Sequence, residues 1–403
     1  MADLKAQTGA AQACLPRFQA HEHNRGRKES GASYVSVRLS GLARREYWLL
    51  AVLLTCAAFV WYGDAFAARL SQPAYLVGIF AWLFVAILGS ALSVVRHADR
   101  LAVRLGEPYG TLILTLSVTV IEVASITAIM LHGENNPTLT RDTLFAVVMI
   151  ILNGMVGLAL LVGGIRHREQ HYNLQGANAY LGVILPLIAF SLLLPDFTQT
   201  TPGPTLSIGQ SAFIAIVAVG LYATFLALQT GRHRNYFTFE DGDLLEEPEE
   251  GATAGILPHV VLLVAYMMPV VYLAEQLAPP ADYVIETMGA PDAVGGVAIA
   301  ILVATPEAIG AVRAALANRV QRSINIFLGS VLSTIGLTIP AMIAISYLTG
   351  HPLILGVEHT DEWLLIVTLG VSIVTFASGH ANVMQGCVHL ILFAAYILLM
   401  FQG

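Results

Sequence analysis

The sequence predicts an all-α polytopic membrane protein of about eleven transmembrane helices, one N-terminal helix followed by two inverted five-helix repeats. Three observations carry this. First, 56% of the 403 residues are hydrophobic and only 12% are charged, with a mean hydropathy of +0.70. A soluble domain carries about a quarter charged residues, so the chain lacks the polar surface to cover a water-facing globule. Second, apolar stretches of about 20 residues recur from residue 47 onward, each long enough to cross a hydrocarbon core about 30 Å thick. Inside lipid every backbone polar group needs an internal partner. The stretches are too long for barrel strands and show no period-two alternation, so they read as helices. Third, basic residues segregate. With the N-terminus in the cytoplasm and helices alternating, 18 of the 20 Lys and Arg residues fall on the cytoplasmic side, and only Arg69 and Arg141 fall opposite.

The elements follow in order. Residues 1–46 form a basic cytoplasmic segment with His21, His23, Arg25, Arg27, Lys28, Arg44 and Arg45, expected to be mobile and to contain no signal peptide. An extra first transmembrane helix, 47–63, lies in segment 47–70. The first five-helix repeat, 71–230, holds helices at 73–95, 110–131, 143–165, 179–195 and 208–229. An acidic cytoplasmic linker, 231–253, includes Glu240, Asp241, Asp243, Glu246, Glu247, Glu249 and Glu250. It lacks the ligand spacing of an EF-hand and reads as a solvated connector. The second repeat, 254–403, holds helices at 255–275, 293–312, 324–348, 363–378 and 384–402.

The two sets resemble each other. Each has a glutamate inside its second helix and a glycine-rich third helix, Asn153-Gly154-Met155-Val156-Gly157 in one and Gly329 to Gly336 in the other. Each is read as opening its fifth helix with a Gln-Gly pair, Gln175-Gly176 and Gln385-Gly386. Five is odd, so the second set enters the membrane from the opposite side. That is the inverted-repeat plan of secondary transporters, with the ion site near the midplane between the halves.

Glu122 lies in the middle of an apolar helix, and Glu307 lies inside Ala304-Thr305-Pro306-Glu307-Ala308. An ionisable group at the bilayer centre costs about 2.5–3.5 kcal/mol by insertion scales. Two such groups at matching positions are expected to meet and act together as the cation- and proton-exchanging pair. Calcium takes 6–8 oxygen ligands, and two carboxylates neutralise its charge. Thr119, Ser125, Asn153, Thr305, Ser330 and Ser333 can complete the shell. Pro306 lacks a backbone donor and should free the Leu302 carbonyl as another ligand. Once calcium leaves, two adjacent carboxylates in a low dielectric do not both stay charged, so protons and calcium exclude each other. That is the chemical requirement for antiport.

At these residues the chain resembles the cation/calcium exchanger superfamily, specifically bacterial calcium/proton antiporters of the ChaA type, related to the CAX exchangers. The resemblance rests on Gly106 to Glu122, Thr305 to Asn318 and Asn325 to Pro340, and runs from helix two to the C-terminus. It implies that Glu122 and Glu307 are the central exchange carboxylates, lined by polar groups of helices four and nine. One departure stands out. Many members carry Gly-Asn before each key glutamate, where this chain has Val118-Thr119 and Val303-Ala304. Exchange of sodium or potassium for protons on the same scaffold is therefore the alternative to calcium.

Other patterns read as structural. His167-Arg168-Glu169-Gln170-His171 places its glutamate one position late for a zincin helix. His259 and His389, inside helices seven and eleven, read as bonds between helices, and Cys14, Cys56 and Cys387 have no metal or redox spacing. No nucleophile, aspartyl-dyad or zinc signature at membrane depth suggests an enzyme, and paired titratable carboxylates argue against a passive channel. The expected partners are the lipid bilayer, cations and protons. Neither a cofactor nor a nucleic acid is expected, and assembly of several copies stays open. The expected location is the bacterial inner membrane, multi-pass, with the N-terminus cytoplasmic.

Overall fold

Uninterrupted apolar sequence leaves backbone polar groups no partner but the helix itself, and helices are what the chain forms. In the computed structural model the described residues are 46–105, 109–132, 136–237 and 255–402. The chain divides into two units, Met1–Tyr47 and Trp48–Gly403. Most of the basic N-terminal segment, most of the acidic linker (238–254) and Gly106-Glu107-Pro108 lie outside the described residues.

Among the described residues eleven apolar helices follow. They are α1 (Tyr47–Ala67), α2 (Pro73–Leu105), α3 (Tyr109–His132), α4 (Leu139–His167), α5 (Leu174–Phe197), α6 (Ile208–Thr230), α7 (Ile256–Glu275), α8 (Ala293–Leu316), α9 (Val320–Thr349), α10 (His359–Phe376) and α11 (Val383–Gln402). Nine of them are long and apolar enough to cross a membrane by length and composition; α3 and α10 complete the set. Local signals fix several ends. The Asn173 side chain accepts from the Gln175 amide at 2.9 Å, and Ser207 with Gln210 forms a capping box at the start of α6. Large apolar side chains such as Trp61, Ile216, Tyr347 and Val374 face outward, as a lipid-facing surface requires.

Two expectations are corrected. The second helix is not confined to 73–95 but runs 33 residues to Leu105. Its last turns carry Arg96, Arg100 and Arg104, each half-buried, charged residues suited to the end of a helix that leaves the hydrocarbon. The Gln-Gly pairs are not equivalent either. Gln175-Gly176 opens α5, the fourth helix of the first set, whereas Gln385-Gly386 opens α11, the fifth of the second.

Loop contacts sort the helix ends onto two faces. On one, β1 (Glu169–His171) pairs antiparallel with β2 (His380–Asn382), so the His167–His171 pattern is half strand. There Gln170 Nε2 donates to the Ala315 carbonyl at 2.9 Å, and Asn325 Nδ2 to the Phe237 carbonyl at 2.7 Å. On the other, the Ile354 amide donates to the Pro137 carbonyl at 3.0 Å and the Val357 amide to the Leu192 carbonyl at 3.2 Å. Each cluster joins only helix ends that strict alternation puts on one side.

Candidate functional site

The third helix of each set is interrupted at its centre by a wider, π-type turn, Ile150–Met155 in α4 and Thr334–Thr338 in α9. Such turns shift the helix register locally and are common at functional sites. The turn of α9 packs on α3, which carries Glu122, and the turn of α4 packs on α8, which carries Glu307. Each set therefore presents its irregular turn to the other set's glutamate helix.

Glu122 is fully buried. Its Oε2 accepts hydrogen bonds from Thr334 Oγ1 and Thr338 Oγ1, both at 3.0 Å. Its Oε1 is buried with no hydrogen-bond partner among the described residues. Glu307 is half-buried as a residue, but its Oε2 is enclosed and likewise has no partner among them. Ser330 of α9 and Glu122 both lie close enough to act on its carboxyl electrostatically. Ser330, Thr334 and Thr338 recur every four residues, so one face of α9 serves both carboxylates.

Ser333 is buried, and its hydroxyl donates to the Ser330 carbonyl at 2.9 Å. The Thr305 hydroxyl donates to the Ile301 carbonyl of its own helix at 2.6 Å. Thr119 is nearly buried and lines a largely apolar cavity of about 590 Å³ between α3, Val271 of α7 and the Leu337–Ile345 stretch of α9. Ser125 is buried on α3. Asn153 stands on the turn of α4, but its side chain is bonded to Thr368 of α10 and His389 of α11, not to a carboxylate.

The two histidines expected to bond between helices, His259 and His389, both do so. His389 Nε2 lies 3.0 Å from Thr375 Oγ1, and His259 Nδ1 lies 3.1 Å from His97 Nδ1. Thr334, Thr338 and His97 were not singled out in the sequence. The four-residue spacing from Ser330 was the available signal for the two threonines.

Chemically, the arrangement offers two enclosed carboxylates within reach of each other's field, each with one oxygen uncommitted. Hydroxyls hold Glu122. Such a pair can exchange bound protons for a metal cation.

Residues 75–231 and 258–402 match the family described as sodium/calcium exchanger protein. The chain is 38% identical over 330 residues to the sodium-potassium/proton antiporter ChaA of Escherichia coli (strain K12), covering 81% of this chain and 89% of that one. It is 24% identical over 324 residues to the Ca2+/H+ antiporter ChaA of Bacillus subtilis (strain 168), covering 80% and 90%. Among solved structures it is similar to native YfkE, with a TM-score of 0.68 at 19% identity, over 88% of this chain and 100% of that one.

Proposed function

The chain belongs to the sodium/calcium exchanger protein family and is a multi-pass membrane cation/proton antiporter of the ChaA/CAX type, not an enzyme; on that premise we propose that Glu122 and Glu307 alternately bind the cation and the protons. The observation that supports this reading is the pair of unpartnered buried oxygens, Glu122 Oε1 and Glu307 Oε2. A buried oxygen left without a donor is costly, and either a cation or a proton supplies what it lacks. Thr334 and Thr338 fix the Glu122 rotamer, so the exchanging atom is Oε1. The segments 71–230 and 254–403 act as inverted halves around this site, with segment 47–70 outside the pair.

Calcium is the cation whose charge the paired carboxylates match. In this reading calcium leaves the cytoplasm through the bacterial inner membrane as protons enter, and the N-terminus is cytoplasmic. A second reading, sodium or potassium, is supported by two observations. The relative at 38% identity is named a sodium-potassium/proton antiporter. Thr119 and Ala304 also stand where the family resemblance expects asparagines, so the shell has fewer oxygens than calcium usually takes.

The test is proton efflux from acid-loaded proteoliposomes, read with a pH-sensitive dye, on adding calcium, sodium or potassium separately. Efflux with calcium is expected. A response to sodium or potassium alone reassigns the cation, and silence with all three rejects the exchange reading. A companion variant probes the α9 threonines. Thr334→Val with Thr338→Val removes two bonds to a carboxylate, each worth about 1.5–3 kcal/mol. The KM for the cation is expected to rise at least tenfold, while the double serine variant stays near wild type. Equal KM in the valine and serine pairs would remove the threonines from the mechanism.

A further inference from the structure

The matching turns of α4 and α9 use their polar side chains differently. The turn of α9 gives its hydroxyls to Glu122. The turn of α4 packs on the Glu307 helix, yet its one amide side chain is turned onto α10 and α11. Asn153 Nδ2 donates to Thr368 Oγ1 at 2.8 Å and contacts Met149 Sδ at 3.3 Å. Asn153 Oδ1 faces His389 Nδ1 at 3.3 Å. Both Asn153 and His389 are completely buried.

One neutral tautomer satisfies the ring. With its proton on Nδ1, His389 donates to the Asn153 oxygen, with the Leu152 carbonyl also beside the ring, and its Nε2 accepts the Thr375 hydroxyl at 3.0 Å. The 3.3 Å bond is long for N–H···O, which typically falls at about 2.7–3.2 Å.

We propose that His389 is a positioning residue for cation affinity: its bond to Asn153 withholds that amide oxygen from the cation held by Glu122 and Glu307. Without the ring N–H, the amide oxygen has lost its donor and only the Nδ2 bond to Thr368 holds the group, so the oxygen can turn toward α8 as an added neutral ligand. Binding then tightens and release slows. A cation that must be handed over and let go is served by a shell kept one ligand short. The inference rests on the two-carboxylate reading above.

The test uses His389→Leu and His389→Gln in the full chain, reconstituted, with cation-driven proton flux measured against cation concentration. His389→Leu is expected to lower the KM roughly tenfold, about one hydrogen-bond-sized ligand, and to lower the maximal rate. His389→Gln, whose amide can still donate to Asn153, is expected to stay near the wild-type KM. Added to Asn153→Ala, His389→Leu is expected to give no fall in KM. His389→Met, flexible and apolar, makes the same measurement where the leucine variant does not fold. A purely structural role does not tighten binding, so an unchanged or raised KM in whichever of these two variants folds overturns the proposal. A fall that persists without Asn153 does the same. Exchange surviving in Glu122→Gln would instead reject the underlying reading, whatever His389 does.

Discussion

Glu122→Gln and Glu307→Gln are each expected to reduce coupled exchange to the level of empty proteoliposomes while the chain still folds. The substitutions conserve shape and remove one function. In Glu122→Gln the new amide oxygen takes the place of Oε2, because the Thr334 and Thr338 hydroxyls at 3.0 Å demand an acceptor. The NH2 group then occupies the place of Oε1, the oxygen without a partner. A donor faces the cation, and no proton can be taken up or released there. At position 307 the substitution likewise removes the negative charge and the titratable oxygen Oε2 that has no partner among the described residues. Folding should tolerate both changes, because burying a neutral amide costs less than burying a carboxylate. The measurement is cation-driven proton flux together with size-exclusion behaviour of the purified variants. Substantial coupled flux in either folded variant would end the two-carboxylate mechanism.

The helices and the glutamates were legible for a common reason: lipid allows few exceptions. A charge inside an apolar run is conspicuous, and Arg clusters on alternate loops order the spans. What stayed hidden depends on geometry that composition does not encode. Composition makes Ser333 a candidate site hydroxyl, and the structure puts Thr334 at Glu122 while Ser333 bonds the Ser330 carbonyl. Neighbouring residues differ by about 100° around a helix, and the wide turn at Thr334–Thr338 shifts that phase locally. The extension of α2 has a signal in the sequence. Arg96, Arg100 and Arg104 recur every four residues, a helical face and not a loop. The partners of Asn153 had none, since Thr368 and His389 lie more than 200 residues away in the chain.

Gly386→Val is expected to prevent stable folding, the largest structural effect of any single substitution considered. A Cβ at Gly386 would stand 2.5 Å from the Leu161 backbone nitrogen and 2.8 Å from the Gly157 carbonyl oxygen. The closeness is reciprocal. A Cβ at Gly157 would stand 2.9 Å from the Leu390 backbone nitrogen, and one at Gly164 2.8 Å from that of Val383. So α4 and α11 touch backbone to backbone along about two turns, the approach that small residues allow between membrane helices. Overpacking a core usually costs about 1–3 kcal/mol because side chains can move aside. Here the obstructing atoms are backbone and cannot, so the helices must separate. Separation also lifts His389, one turn along α11, away from Asn153. Gly182→Ala and Gly220→Ala, where an added Cβ meets nothing within 4 Å, are the controls. Thermal stability in detergent, followed by size-exclusion chromatography, separates the cases. A monodisperse Gly386→Val with wild-type melting would show that α11 can pack farther from α4, and the close approach would then have no role in holding Asn153.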